Sequence, residues 1–284
     1  MAESLKRIRT RIRSVESVGK LTRAMEMISV SKLRSLQKEL YTSQEYFLRA
    51  EKLLDNLLAS FHEVSHPLLA ARGSRQKILV CPVTSDTGLC GSYNNMIIHT
   101  AEEFIRQNSS KDMSLAPVGR KGFNHFKKAA IPIVDSYSEL YGRYSRAASD
   151  KITKDLIGMF LSGKADEVYV VYAKHGSDSR YRPVVEKLLN VESHGGTRVD
   201  YLLEPDIQGI LDALIPLYIS SKVKNILLNA FTAEHSTRVM AMNEATKNAE
   251  ELLEDLVLLR NKMRQASITT EIIEVISSVE ALKG

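Results

Sequence analysis

The sequence has no tryptophan, only 6% aromatic residues, two cysteines and seven prolines in 284 residues. No apolar run approaches the eighteen or so residues that a membrane span needs. The start, MAESLKRIRTRIR, is basic but lacks the apolar stretch of a signal peptide, so the chain is expected to be made and kept on the cytoplasmic side. Cys81 and Cys90 are too few for a disulfide framework and read as buried thiols; without a secretory route the sequon at Asn108 carries no weight. Also missing are the GK[ST] of a P-loop and the GxGxxG of a dinucleotide site.

Charge is present but unevenly placed. Residues 1 to 40 hold ten Lys and Arg against four Glu, a balance of +6, whereas the whole chain carries +5, so the remainder is near neutral. Such a segment suits nucleic acid, anionic lipid or an acidic protein surface, or is simply a solvated helix face.

Proline is absent from residues 1 to 66. There the apolar residues fall at helical, near-heptad spacing: Leu5, Ile8, Ile12, Val15, Val18, Leu21, Met25, Ile28, Leu33, Leu36, Leu40, then Phe47, Leu54, Leu57 and Phe61. A stripe so long and narrow calls for another long helix as its partner. The other end of the chain supplies one, with Met242, Ala245, Ala249, Leu252, Leu256, Leu259, Met263 and Ala266 stepping alternately by three and four. Upstream, Asp206 after Pro205 is placed to cap that helix, and Pro216 is expected to kink or restart it. Gly19 is the first helix's weak point, at about 1 kcal/mol relative to alanine.

Between the ends, β-rich runs at 77–83, 166–173 and 199–204 alternate with helical stretches near 94–107, 120–130 and 147–163. Their nearly continuous apolar character points to strands covered on both faces, an α/β layer fold with a Rossmann-like arrangement. The organisation expected is therefore a helix over 1–66, an α/β domain over 75–205 and a helix over 206–284 that pairs antiparallel with the first. The carboxyl end then projects beyond its partner, and Ile268, Ile272, Ile273, Val275, Ile276, Val279 and Leu282 wrap widely around it. An apolar tip uncovered by its own chain implies a sleeve supplied by another protein.

Chemical motifs are few. HEVSH at 62–66 matches the zinc-protease pattern with His62 and His66 as ligands and Glu63 as base, but Pro67 follows at once and no third ligand stands at the required offset. SDTGLCGSYN at 85–94 has the place of a phosphate cradle without its fingerprint, and Gly88 and Gly91 read as turn residues. The loop at 174–183, with Arg180 and Arg182, is a possible contact surface. The other histidines are scattered singly, and no Ser/His/acid set emerges.

Three separated segments together resemble one family, the gamma subunit of F-type ATP synthases. KRIRTRIRSVESVGKLTRAMEMISVSKL resembles its first rotor helix, SDTGLCGSYN its central turn, and EHSTRVMAMNEATKNAEELL with NKMRQASITTEIIEV its carboxyl-terminal signature. The resemblance runs in order over essentially the whole chain. It implies a non-catalytic shaft with no cofactor or metal, turning inside a ring of alternating alpha and beta subunits and coupling proton flow through a membrane ring to ATP synthesis, or reversibly to hydrolysis. One copy would serve each complex, on the cytoplasmic face of a bacterial inner membrane, with no insertion into the lipid and no nucleic acid. It further implies beta-subunit contacts at Arg9, Arg23, Met25, Arg238, Arg264, Gln265, Thr269 and Glu271. Tyr201, Glu204 and Asp206 would form a foot meeting the epsilon subunit and the membrane c-ring, and Ile272, Ile276, Val279 and Leu282 would turn in the sleeve. Thr87, Gly19 and Pro216 depart from the family's pattern, and the cysteine-bearing insertion of the chloroplast type is missing. An α/β enzyme with a helical arm and a nucleic-acid-binding coiled coil are the competing readings.

Overall fold

The computed structural model describes residues 2–61, 65–70, 76–175, 181–193, 195–199, 201–204 and 206–281. Its elements are α1 (Ala2–Ser60), β1 (Lys77–Pro82), α2 (Tyr93–Gln107), β2 (Asp112–Leu115), α3 (Arg120–Phe126), α4 (Arg146–Leu161), β3 (Glu167–His175), β4 (Tyr181–Leu189) and α5 (Ile207–Ala281). They divide into two compact units, one of residues up to Ile28 with those from Val239 on, the other of Ser29–Arg238.

In the larger unit the sheet runs β2-β1-β3-β4, with β1 parallel to both neighbours and β4 antiparallel to β3. The apolar run of β1 is buried from Ile78 on because both faces are covered. One face packs with Leu79, Cys81, Leu156, Phe160 and α5 residues such as Ile219 and Leu227; the other packs with Ile78, Val80, Tyr93, Ile97 and Phe126.

Two strands escape the apolar pattern. β2 has only four residues, and β4 reads YRPVVEKLL, where Pro183, Glu186 and Lys187 mask a half-buried edge strand that tolerates proline. Conversely, the described residues of the stretch expected as a strand at 199–204 form none. That stretch is irregular and is tied to the end of α1: the Asn56 amide donates to the Tyr201 hydroxyl at 3.3 Å, and Val199 N donates to Ser60 Oγ at 3.0 Å. Leu202 stands 97% exposed, so the apolar pair in VDYLLE serves no sheet.

Asp206 caps α5 as expected, its Oδ1 accepting from Gly209 N at 2.7 Å. The helix neither stops nor restarts at Pro216. Ile215, Tyr218 and Ile219 are buried beside it, and that packing holds the helix through the missing N–H. Lower in the same unit Lys222 is buried on α5 and ties it to the sheet. Its ammonium lies 3.2 Å from Glu186 and donates to Lys187 O at 2.9 Å, while the Tyr172 hydroxyl donates to the other Glu186 oxygen at 2.5 Å. Burial alone would raise the Glu186 pKa, but Lys222 and Tyr172 outweigh it and hold it below the usual carboxylate range.

In the smaller unit the two chain ends pair antiparallel. Gly19 meets Ala249 and Thr22 meets Thr246, three residues forward on one helix and three back on the other. The seam differs from the apolar reading. On α1 it runs Leu5, Ile8, Ile12, Val15, Gly19, Thr22 and Glu26, while Val18, Leu21 and Ile28 are exposed. On α5 it runs Met242, Thr246, Ala249, Leu253, Leu256 and Met263, while Leu252 and Leu259 are exposed. The cause is periodicity. Following apolarity from Val15 to Val18 and Leu21 takes two steps of three, which rotates the stripe around the helix, whereas two paired helices face one another only at a constant 3.5-residue repeat.

Candidate functional site

Three candidate sites are built by this fold, two of them on its surface. The first is the exposed flank of the paired helices. Arg9 is exposed, and Arg23 lies 3.7 Å from Glu250 with both side chains mostly in solvent. Such a pair contributes well under 1 kcal/mol, so Arg23 is held lightly and stays available. Met25 is half-buried beside the seam. Arg264, Gln265, Thr269 and Glu271 are exposed on α5, where Thr269 Oγ1 donates to Gln265 O at 3.0 Å and Ser267 Oγ donates to Glu271 at 3.3 Å.

The second surface is the end of α5. Continuing the Gly19–Ala249 register, Ala2 falls opposite about residue 266, yet α5 continues to Ala281. Every described residue from Glu271 on is exposed, including Ile272, Ile276 and Val279. Leu282 lies outside the described residues. A contiguous apolar surface of this kind marks an interaction site.

The third is a buried polar node in the larger unit. Arg238 is not on a free surface. Its side chain is 5% exposed, and Nη2 donates to Glu234 Oε1 at 2.7 Å and to Thr87 Oγ1 at 3.2 Å. Nη1 donates to His235 Nδ1 at 3.1 Å, which assigns the ring proton to Nε2, donating to Gly142 O at 3.0 Å. Burial, then the Arg238 charge, pushes His235 down to about 4. Burial likewise raises Glu234, with Arg238 opposing. Glu234 Oε2 has no hydrogen-bond partner among the described residues. Asp86 completes the node, its carboxylate accepting from the backbone N–H of Arg120, Glu139 and Tyr141 at 3.0, 3.1 and 2.7 Å. Lys32 reaches it from α1, donating to Tyr141 O at 3.2 Å.

Asp86, Glu234, His235 and Lys32 are the residues that sequence reading missed. The one available signal was Glu234 four residues before Arg238, directly after the largely apolar stretch 226–233, a spacing that pairs charges on one helix face. At the foot, Tyr201 is half-buried against Asn56, and Glu204 and Asp206 are exposed. Of the zinc pattern, His62 and Glu63 lie outside the described residues. His66 is buried, its Nδ1 accepting from Leu68 N at 3.1 Å and its Nε2 3.5 Å from Asp212. Among the described residues no three His, Cys, Asp or Glu side chains converge as a metal site, and no helix is long and apolar enough to cross a membrane.

Comparison with known proteins places these surfaces in context. The family model described as ATP synthase matches residues 4–282. The ATP synthase gamma chain of Moorella thermoacetica is 35% identical over 97% of this chain and 98% of its own. That of Chlorobium phaeobacteroides is 33% identical over 99% of each. Among solved structures, a chain of the Euglena gracilis mitochondrial ATP synthase aligns at a TM-score of 0.72 over 99% of this chain and 95% of that one; at 15% identity the likeness is one of fold.

Proposed function

The chain belongs to the ATP synthase gamma-chain family, and on that premise we propose that its paired helices turn inside a ring of alternating alpha and beta subunits with the apolar end of α5 as the bearing. It is a non-catalytic shaft of an F-type ATP synthase, coupling proton flow to change at catalytic sites carried by other subunits.

The observation that carries the bearing is the run of α5 past the end of its partner, with Ile272, Ile276 and Val279 about half exposed. Exposed apolar side chains in a helix with no neighbour are stable in water only at a cost, and a largely apolar collar removes it. Arg9, Arg23, Met25, Arg264, Gln265, Thr269 and Glu271 are the beta-subunit contacts in this reading, and the basic amino-terminal segment faces carboxylates of that ring. Tyr201, Glu204 and Asp206 form the foot that meets the epsilon subunit and the c-ring. In this reading the chain is a peripheral part of the complex on the cytoplasmic face of a bacterial inner membrane, with one copy in each complex.

The test is reconstitution. The chain mixed with its alpha and beta subunits should give a complex in which ATP hydrolysis turns a bead attached to the α/β unit. Truncation after residue 267 should weaken retention of the shaft in the ring. A chain that neither joins the ring nor turns in it would overturn the proposal.

A further inference from the structure

Residues 131–135 add an extended segment to the sheet along the outer edge of β2. Leu115 N donates to Pro132 O and Val134 N donates to Leu115 O, both at 2.9 Å, and Tyr137 N donates to Pro117 O at 3.0 Å. Backbone groups of an extended chain point to alternate sides, so Pro132 and Val134 face β2 while Ile133 between them turns its N–H and C=O outward. The same alternation turns Asp135 outward. None of these four outward groups has a partner among the described residues.

Edge strands are ordinarily blunted by proline, charge or brevity. Pro132 does not blunt this one, because the N–H it lacks would have faced β2 rather than the open side. The segment is apolar as well. Val134 is 48% exposed, and Ile131 and Ile133 are only half-buried. Beside the open edge lies a cleft of about 400 Å³, lined by Phe123 and Phe126 of α3 together with Lys127, Ile131, Ile133 and Val134. A strand added to the edge would lay its side chains in that cleft against α3, which is the cover a buried strand needs.

Charge narrows the occupant. Lys127 and Lys128, which follow α3, are exposed and form no ion pair among the described residues, whereas Arg120 lies 3.9 Å from Glu139 and His125 lies 2.7 Å from Glu102. Lys127 Nζ stands 6.0 Å from the centre of the Phe123 ring, at the mouth of the cleft. The carboxylate that lines the cleft, Asp135, is already engaged: it accepts from Ser136 N at 2.7 Å and from the Tyr137 hydroxyl at 3.2 Å. Two unpaired ammonium groups beside an apolar cleft complement carboxylates on the incoming chain.

We propose that the outer edge of residues 131–135 is a docking site for an extended, acidic segment of a partner protein. The segment joins the sheet as one more strand, fills the cleft with alternate apolar side chains and meets Lys127 and Lys128 with its carboxylates. Main-chain bonds give such a contact its affinity, and the cleft and the lysines give it specificity. The inference does not depend on the shaft reading, and its failure would leave that reading untouched.

The test uses the full chain and a blocked synthetic peptide in which valine and threonine alternate behind two glutamates. Hydrogen exchange read residue by residue should slow at least about tenfold at the amides of Ile133 and Asp135 when the peptide is added, with no change at Val134 and Tyr137, whose amides are already bonded. A peptide N-methylated along one edge should lose binding, and one methylated along the other edge should keep it. Replacing the two glutamates by lysines should weaken binding about fivefold, and Lys127→Glu/Lys128→Glu in the chain should reverse that preference. Unprotected Ile133 and Asp135 amides, equal binding of the two N-methylated peptides, or a preference that the lysine variants leave unchanged would overturn the proposal. So would concentration-dependent protection of the same amides in the chain alone, which would make a second copy the occupant.

Discussion

The hydroxyls of Thr22 and Thr246 lie 2.8 Å apart across the helix pair, buried in a seam that apolar side chains would ordinarily fill. Each hydroxyl also lies within hydrogen-bond reach of a backbone carbonyl of its own helix, Thr22 of Gly19 O at 3.1 Å and Thr246 of Met242 O at 2.9 Å, so that one of them donates across the seam and the other to its own helix. Thr22→Val alone should cost about 1 kcal/mol, because a buried hydroxyl loses its partner, while the double Thr22→Val/Thr246→Val should be close to neutral. A double-mutant cycle by denaturant unfolding of the purified chain measures this, and strictly additive losses would argue against the pair.

Gly19 faces Ala249 with room for one methyl group, since an added Cβ would stand 3.7 Å from the Ala249 Cβ. Gly19→Ala should therefore raise stability by about 1 kcal/mol through helix propensity. A lowered melting temperature would show that the helices already touch there.

The phase of the seam is tested by two leucines three residues apart. Leu256 is buried and Leu259 is 45% exposed. Leu256→Asp should cost several kcal/mol as a buried unpaired carboxylate, and Leu259→Asp should cost less than about 1 kcal/mol. Comparable losses in the two variants would contradict the register.

His235 is held neutral, its pKa pushed down to about 4 from 6.5 by burial and by Arg238. Between those values the unfolded chain binds more protons than the folded one, so this contribution is fully present above pH 6.5 and is lost as pH falls toward 4. His235→Gln should flatten the stability profile over that window, by about 1 kcal/mol after allowance for screening. An unchanged slope from pH 6.5 to 4 would show that the imidazole is not what titrates.

Much of this was legible in the amino-acid sequence because two periodicities are strong. The long stripes at both ends announced a pair of helices, and the apolar run of β1 announced a sheet covered on both faces. What was illegible has particular causes. β4 carries proline and charge because it is an edge strand, and VDYLLE looks β-rich yet runs beside the end of α1 through Asn56 and Ser60. The seam from Gly19 to Glu26 is small and polar, so the more apolar Val18 and Leu21 drew the reading one residue aside. Arg238 is basic and helical, which suits a surface; only the tertiary approach of the Thr87–Gly88 turn and Glu234 turns it inward.

The bearing itself is tested most directly by chemical access to the end of α5. Ile276→Cys introduces one exposed thiol against a quiet background, because Cys81 and Cys90 are both buried and burial pushes Cys81 up to about 12. A maleimide should label position 276 rapidly in the free chain and at least about tenfold more slowly in the assembled complex. Equal labelling rates in the two states would mean that the tip of the shaft stands in water, and the bearing would be ruled out.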